Sequence, residues 1–358
     1  MTHSTTHQMT SLPQPNVERL TKTLFELLAI DSPTGDTAAM ETHLEQRLAA
    51  FDVTLQRTQR GQVLAATGAN PKRALAAHVD TLGAMVQAIR PDGRLELTPL
   101  GTWSARFAEG GRVTVKTDHG PIRGTVLPQL ASGHAYNEAV DQQPVGWSQL
   151  ALRLDIDSQT AAQTLAAGVL PGDIVCFDAQ PELSNGFINS RFLDNKASIA
   201  CTLEMLALLH EAGVKPASPI LLAYTNAEEI GLGAGTALPA GLESLISLDI
   251  APVAPNQTSR ETAITLGMKD SLGPHSRSLL AELEQLCQAH QLPYVRDVFR
   301  HYHSDCSSAL HAGHDLRTAL VGFGTDATHG YERTHLDSLV ALCRWLVAYA
   351  LADNVDNE

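Results

Sequence analysis

Four apolar runs, residues 73–77, 219–224, 245–248 and 319–323, constrain the fold of this chain more than anything else in it. Each is too short for a core helix and lacks polar alternation, so each reads as a strand buried on both faces. Helix-length patterns lie between them. Apolar residues recur at helical spacing in residues 17–30 (Val17, Leu20, Leu24, Leu27, Leu28), and further helices are expected near 37–51, 197–211, 276–291 and 336–352. Strands alternating with helices in this way predict an α/β fold with a mostly parallel central sheet flanked by helices. Thr334, followed three residues later by Asp337, reads as a capping-box variant opening the last helix.

Between about Gln87 and Gly186 the texture changes to alternating stretches broken by Gly and Pro, with one short helix near 159–167. That region reads as an inserted, β-rich, barrel-like second domain spanning 87–186. It splits the α/β domain into residues 1–86 and 187–358.

Bulk properties narrow the classes of function. A chain of 358 residues with 44% hydrophobic content can bury a core large enough for two domains. Its net charge of −14 and pI near 5.5 leave no broad basic face for phosphates, which argues against nucleic acid as a partner. No apolar stretch reaches the roughly 20 residues of a membrane span, and the first fifteen residues are polar, so a cytoplasmic protein without a membrane partner is expected. His3 and His7 in that tail read as solvated. The five cysteines are scattered, odd in number and never in a C-x-x-C arrangement, which speaks against disulfides and thiolate zinc sites.

The strand-like runs end in chemically loaded residues. These are Ala76-Ala77-His78-Val79-Asp80, Asn226-Ala227-Glu228-Glu229, Ser247-Leu248-Asp249 and Ala327-Thr328-His329-Gly330, while Asp194 stands just before the helix near 197. In open α/β sheets, ligands collect beyond the carboxyl ends of the strands, and a carboxylate is favoured at a helix start. Three carboxylates meeting there without a counter-ion would repel, so a purely structural role is a poor fit. Two divalent cations set against Asp194, Glu229 and Asp249 leave one positive charge for a water-derived anion. Imidazole and carboxylate without thiolate suit Zn²⁺ best, with Co²⁺ or Mn²⁺ also suited. Of the adjacent glutamates, one can ligate while the other moves a proton.

Competing residues are weighed by position. Asp157 and Asp173 also border strand-like runs but lie in the insert, which leaves Asp249 as the ligand. His329 is preferred to His335, His301 and His303 because it follows a strand at the matching interval. In His303-Ser304-Asp305-Cys306 a cysteine nucleophile lacks an evident partner, so Asp305 and its neighbours are expected to line the pocket instead.

Taken together, His78-Val79-Asp80-Thr81-Leu82-Gly83, Leu193-Asp194-Asn195-Lys196, Glu228-Glu229-Ile230-Gly231-Leu232 and His329 resemble the M42 family of dinuclear metallo-aminopeptidases, which includes the tetrahedral and deblocking aminopeptidases. Ser32-Pro33-Thr34-Gly35 and Gly168-Val169-Leu170-Pro171-Gly172-Asp173 are similar to that family as well, and the resemblance covers nearly the whole chain. It implies a bridging Asp194, one site completed by His78 and Asp249, another by Glu229 and His329, and Glu228 as catalytic base. It further implies that Asp80 holds the His78 imidazole in its ligating tautomer. By the same resemblance the substrate is a short peptide or related amide, and the insert is a dimerisation domain within a homo-oligomer, up to a dodecamer. The stretch His329-Gly330-Tyr331-Glu332-Arg333-Thr334-His335 departs from the Ser-Pro of many relatives. It is similar to a subgroup linked to making an N-acetylated glutamine dipeptide osmolyte, so that compound or its precursor is an alternative substrate. A non-catalytic assembly protein retaining the fold is the alternative of another class.

Overall fold

The computed structural model describes residues 12–236 and 238–352, so His3 and His7 lie outside the described residues. The chain opens with helices α1 (Val17–Leu28) and α2 (Ala38–Leu48) and strands β1 (Thr54–Arg57), β2 (Val63–Ala66) and β3 (Arg73–His78). The next six strands are β4 (Gly83–Ile89), β5 (Leu95–Leu100), β6 (Arg112–Thr117), β7 (Gly120–Pro128), β8 (Leu150–Leu154) and β9 (Ile174–Phe177). Helix α3 (Gly133–Tyr136) falls between β7 and β8, and α4 (Ala161–Ala166) between β8 and β9. Then come β10 (Glu182–Ser184), β11 (Phe187–Ser190), α5 (Leu193–Ala212), β12 (Ile220–Thr225), β13 (Ser244–Val253) and β14 (Ile264–Lys269). The chain closes with α6 (Arg277–Ala289), β15 (Tyr294–Val298), α7 (Asp305–His311), β16 (Arg317–Asp326), β17 (Glu332–His335) and α8 (Leu336–Leu351).

The large sheet runs β1-β2-β12-β3-β13-β16-β17-β11-β10, with β14 and β15 branching from β16. Its centre, β12, β3, β13 and β16, is parallel. Strands β3 and β12 show why these runs lack polar alternation. Leu75, Ala77, Leu222 and Tyr224 face one apolar layer with Leu24, Met205 and Leu346, whereas Ala74, Ala76, Leu221 and Ala223 face another with Cys306 and Ala309. Helix α5 packs against α1, α8, β3 and β13, and it is buried along most of its length because neighbours cover it on several sides.

Strands β4 to β9 close into a barrel in the order β4-β5-β8-β7-β6-β9, filled by side chains such as Val86, Leu97, Val113, Val126, Leu152 and Val175. Closure ends at Phe177, and β10 and β11 rejoin the large sheet beside β17.

Two local expectations change. The last helix is capped by His335, whose Nδ1 accepts from the Asp337 N–H at 3.1 Å. Thr334 instead lies in β17 and donates its hydroxyl to the Gly324 carbonyl at 2.6 Å. Asp249 is not past the end of its strand, because β13 continues to Val253 and pairs with β16 along its whole length.

Gly324 in β16 lies hard against a neighbouring segment, since a Cβ there would be 1.9 Å from the Arg260 carbonyl oxygen. The obstacle is backbone and cannot rotate away. Gly324→Ala is expected to cost about 2 kcal/mol or more, read as a lower urea midpoint at unchanged m-value.

Candidate metal centre

His78 ends β3 with its imidazole buried. Its Nδ1 lies 2.9 Å from the Asp80 carbonyl oxygen and its Nε2 3.0 Å from Asp194 Oδ1, 3.8 Å from Glu228 Oε2 and 3.9 Å from Asp249 Oδ1. His329 repeats the arrangement from the loop after β16. Its Nδ1 lies 2.8 Å from the Thr102 carbonyl, and its Nε2 is 3.6 Å from Asp194 Oδ2 and 3.7 Å from Glu229 Oε2. A carbonyl can only accept, so both Nδ1 atoms carry a proton and both Nε2 atoms face the carboxylates.

Asp194 sits between the two imidazoles. His78, Asp194 and Asp249 form one group whose ligating atoms all lie within 4.8 Å of each other, and Asp194, Glu229 and His329 form a second, so Asp194 is common to both. Helix α5 is not yet regular there, because Asp194 and Asn195 have non-helical backbone angles and the peptide bond joining them is cis. Asn195 Nδ2 ties this start to the Leu248 carbonyl at 2.7 Å, next to Asp249.

Asp80 meets His78 Nδ1 with its carbonyl oxygen at 2.9 Å and its carboxylate Oδ1 at 3.5 Å. The same carboxylate accepts from the Glu228 N–H at 3.1 Å, the Glu229 N–H at 3.3 Å and the Thr34 hydroxyl at 2.7 Å. The carboxylate thus holds the turn that carries both glutamates. Phe192, Ala227 and His329, at or beside site residues, adopt left-handed φ values of 67°, 65° and 63°. Backbone of this kind costs about 1 kcal/mol per non-glycine residue and persists where surrounding contacts fix it.

The electrostatics leave these carboxylates short of positive charge. Burial, then repulsion from neighbouring carboxylates, pushes Glu228, Glu229 and Asp249 well above the usual carboxylate range. Asp194 is held low in spite of burial, through the hydrogen bond from His78. Among the described residues no lysine or arginine forms an ion pair with them. Lys196, the nearest cation in sequence, donates to the Ile30 carbonyl at 2.6 Å, and burial pulls its pKa down to about 7. Buried oxygen and imidazole ligands converging without a counter-charge fit divalent cations.

The cluster opens into a cavity of about 1150 Å³. Trp103 and Phe107 from the β5–β6 loop form one wall, and the segments around Pro255 and Arg300 form others. His301, Tyr302 and His303 line it, but Asp305 does not. Its carboxylate is spent on the Ala234 N–H at 2.6 Å and the Thr225 hydroxyl at 2.7 Å. Cys306 is buried with Sγ 3.3 Å from the Leu245 carbonyl and 3.2 Å from that of Ala319, and burial raises its pKa, which removes it as a nucleophile. His335 lies edge-on to Phe187 at the head of α8.

Three contributors were not expected. Glu332 is buried and accepts from the Asp194 N–H at 3.1 Å and the His329 N–H at 3.0 Å, fixing both residues at once. The Thr102 carbonyl acts through a backbone atom, which carries no side-chain signal. Tyr302 buries its hydroxyl near Asp249, and burial together with the nearby carboxylates raises its pKa.

A carboxylate–imidazole cluster at the carboxyl ends of a parallel sheet, opening into a cavity, defines the class as a metal-dependent hydrolase. The chain belongs to the M42 family, matching the family described as M42 glutamyl aminopeptidase over residues 61–344, and it is a metallo-aminopeptidase of that family. It is 34% identical over 345 residues to the putative aminopeptidase YhfE of Bacillus subtilis (strain 168), covering 93% of this chain and 98% of that one. Its fold is similar to that of the TET aminopeptidase from the marine sediment archaeon Thaumarchaeota archaeon SCGC AB-539-E09, with a TM-score of 0.84 at 17% identity, over 94% of this chain and 96% of that one. It is likewise similar to the Pyrococcus horikoshii TET1 peptidase, which can assemble into a tetrahedron or a large octahedral shell (TM-score 0.82, 19% identity, 93% and 99% coverage). No helix among the described residues is long and apolar enough to cross a membrane.

Proposed function

We propose that the protein removes N-terminal residues from short peptides with the help of two divalent cations. His78 and Asp249 would hold one ion, Glu229 and His329 the other, and Asp194 would bridge them. The observation that carries this reading is the pair of ligand groups with Asp194 in common. Imidazole and carboxylate ligands without thiolate favour Zn²⁺, with Co²⁺ and Mn²⁺ as alternatives. Bound there, the ions supply Lewis acidity, polarising the scissile carbonyl and lowering the pKa of the attacking water.

The chain's own residues do the rest. Glu228, outside both ligand groups, takes a proton from the water at its carboxylate and delivers it to the leaving amine. Asp80 holds the Glu228 and Glu229 amides, and Glu332 holds those of Asp194 and His329, so the reacting groups stay in place as charge moves. The intact set supports an enzyme over a non-catalytic assembly protein. After His329, Tyr331 donates to the Gln180 carbonyl, Arg333 pairs with Glu261, and Glu332 holds the centre. Those side chains are spent on the scaffold and give no reason to prefer an acylated glutamine dipeptide to a peptide. The inserted domain, whose barrel is formed by β4 to β9, serves as the dimerisation domain of a cytoplasmic homo-oligomer in this reading. The test is elemental analysis with aminoacyl-anilide and dipeptide hydrolysis under Zn²⁺, Co²⁺ and Mn²⁺ in parallel. Two ions per chain and release of the N-terminal residue are expected, whereas one ion or cleavage inside longer peptides only would overturn the reading.

A further inference from the structure

Most of the candidate ligands are steadied by a group behind them. The His78 and His329 rings each rest a ring nitrogen on a carbonyl, and Glu332 and Asp80 hold the amides of Asp194, His329 and Glu229. Asp249 relies on a local contact, since its Oδ1 accepts from the N–H of its own neighbour Ile250 at 2.7 Å.

An unused donor lies beside it. The Tyr302 hydroxyl is buried and makes no hydrogen bond of ordinary geometry to any described residue. Its ring sits on the face of β13 that carries Asp249. Asp249 and Ala251 are two residues apart in that strand, so their side chains share a face, and the ring packs against the cluster of Ala251, Phe299 and Leu320. Phe299 meets the ring edge-on at 5.4 Å, and the Ser271 N–H donates to the Tyr302 carbonyl at 2.8 Å. Both neighbours in sequence, His301 and His303, are exposed, whereas Tyr302 is turned inward. Tyr302 and Asp249 line the same cavity. Burial, then the nearness of Asp249 ahead of Glu228 and Asp194, raises the pKa of the hydroxyl. A buried phenol without an acceptor is unfavourable, so a tyrosine at this place, where a phenylalanine would pack as well, calls for one.

We propose that Tyr302 is a positioning residue for the metal centre: in the loaded protein its hydroxyl donates to one oxygen of Asp249 and so aims the carboxylate at the ion it shares with His78. The inference deepens the two-cation reading and rests on it. Enclosed as it is, the hydroxyl meets the ligand and not the substrate. An outer donor of this kind commonly accounts for about 10- to 100-fold in metal affinity. Because the hydroxyl serves Asp249, which belongs to one ligand group and not the other, its loss falls on one ion of the two.

Tyr302→Phe removes the hydroxyl and keeps the ring. Stripped parent and variant are titrated with Zn²⁺ against a competing chelator, with occupancy read by elemental analysis. In the variant one ion is expected to bind as in the parent and the other about tenfold more weakly or worse, so that dialysis at low free Zn²⁺ leaves one ion per chain. Saturating Zn²⁺ is expected to restore kcat with KM unchanged. The stripped variant is expected to melt no lower than the stripped parent, since the hydroxyl has no protein partner there. Unchanged affinity for both ions, or equal weakening of both, overturns the proposal. So does a stripped variant with a lower Tm, which would make the hydroxyl merely structural, or a kcat that stays low at full occupancy, which would put it on the reacting atoms. Loss of one ion from the variant, in a protein that turns nothing over, would sink the reaction and uphold this assignment. A parent that holds a single ion would overturn the two-cation reading, and the role of Tyr302 with it only if Tyr302→Phe binds that ion as tightly.

Discussion

Glu228→Gln lowers kcat by about a thousandfold and leaves the metal content unchanged. The magnitude is that of losing a positioned proton carrier. Retention of metal follows from the geometry, because Glu228 belongs to neither ligand group. Its amide, which anchors the turn to Asp80, is untouched by a change at the side-chain end. Elemental analysis beside steady-state kinetics checks both halves. Full activity in the variant would remove Glu228 as the base, and loss of an ion would make it a ligand.

Stripping the metal destabilises the protein, and more so as pH rises from 5 to 8. Glu228, Glu229 and Asp249 have raised pKa values in the metal-free fold. A raised carboxylate contributes stability that is fully present below its unfolded value, about 4, and is lost as pH rises through the folded value. His78 is also raised, against the cost of burial, by its hydrogen bonds to Asp194 and Asp80. Its contribution is likewise lost on the alkaline side. Asp194 alone among the five runs the other way. Cations replace the protons, so binding releases them and strengthens with pH. At free metal about 100-fold above Kd the gain is about 3 kcal/mol. Thermal melts of stripped and reloaded protein at pH 5 and pH 8 check this. A metal-induced rise in Tm that is equal at both pH values, or larger at pH 5, would refute it.

The parts of the molecule legible in its sequence are those where one residue type answers to one environment. Strands β3 and β12 are buried on both faces, so their runs are uninterrupted, and His78 and Glu228 stand out where the runs stop. Asp249 misleads as a boundary. A charge normally ends a buried strand, but here β13 carries it through because its Oδ1 accepts from the Ile250 N–H at 2.7 Å and the carboxylate faces the centre. The cap of α8 shifts by one residue because Thr334 is drawn into β17 by Gly324. Glu332 was visible only as part of an unusual loop, since its task is to bind two amides that are far apart in sequence. The carbonyls of Asp80 and Thr102 leave no trace, because every residue carries one.

The 2.8 Å contact between His329 and Thr102 joins a residue of the large sheet's loops to one reached through the barrel strands. One imidazole is thus oriented within its own domain, by Asp80, and the other is oriented from outside it. If the barrel were cut away or tilted, the His78 half would keep its geometry while His329 lost the partner that fixes its tautomer. The two halves of the centre therefore differ in what they report: one senses only the fold of the sheet, whereas the other senses whether the barrel is seated. Anything that grips the barrel gains leverage over the second half first, and over the shared Asp194 only through it.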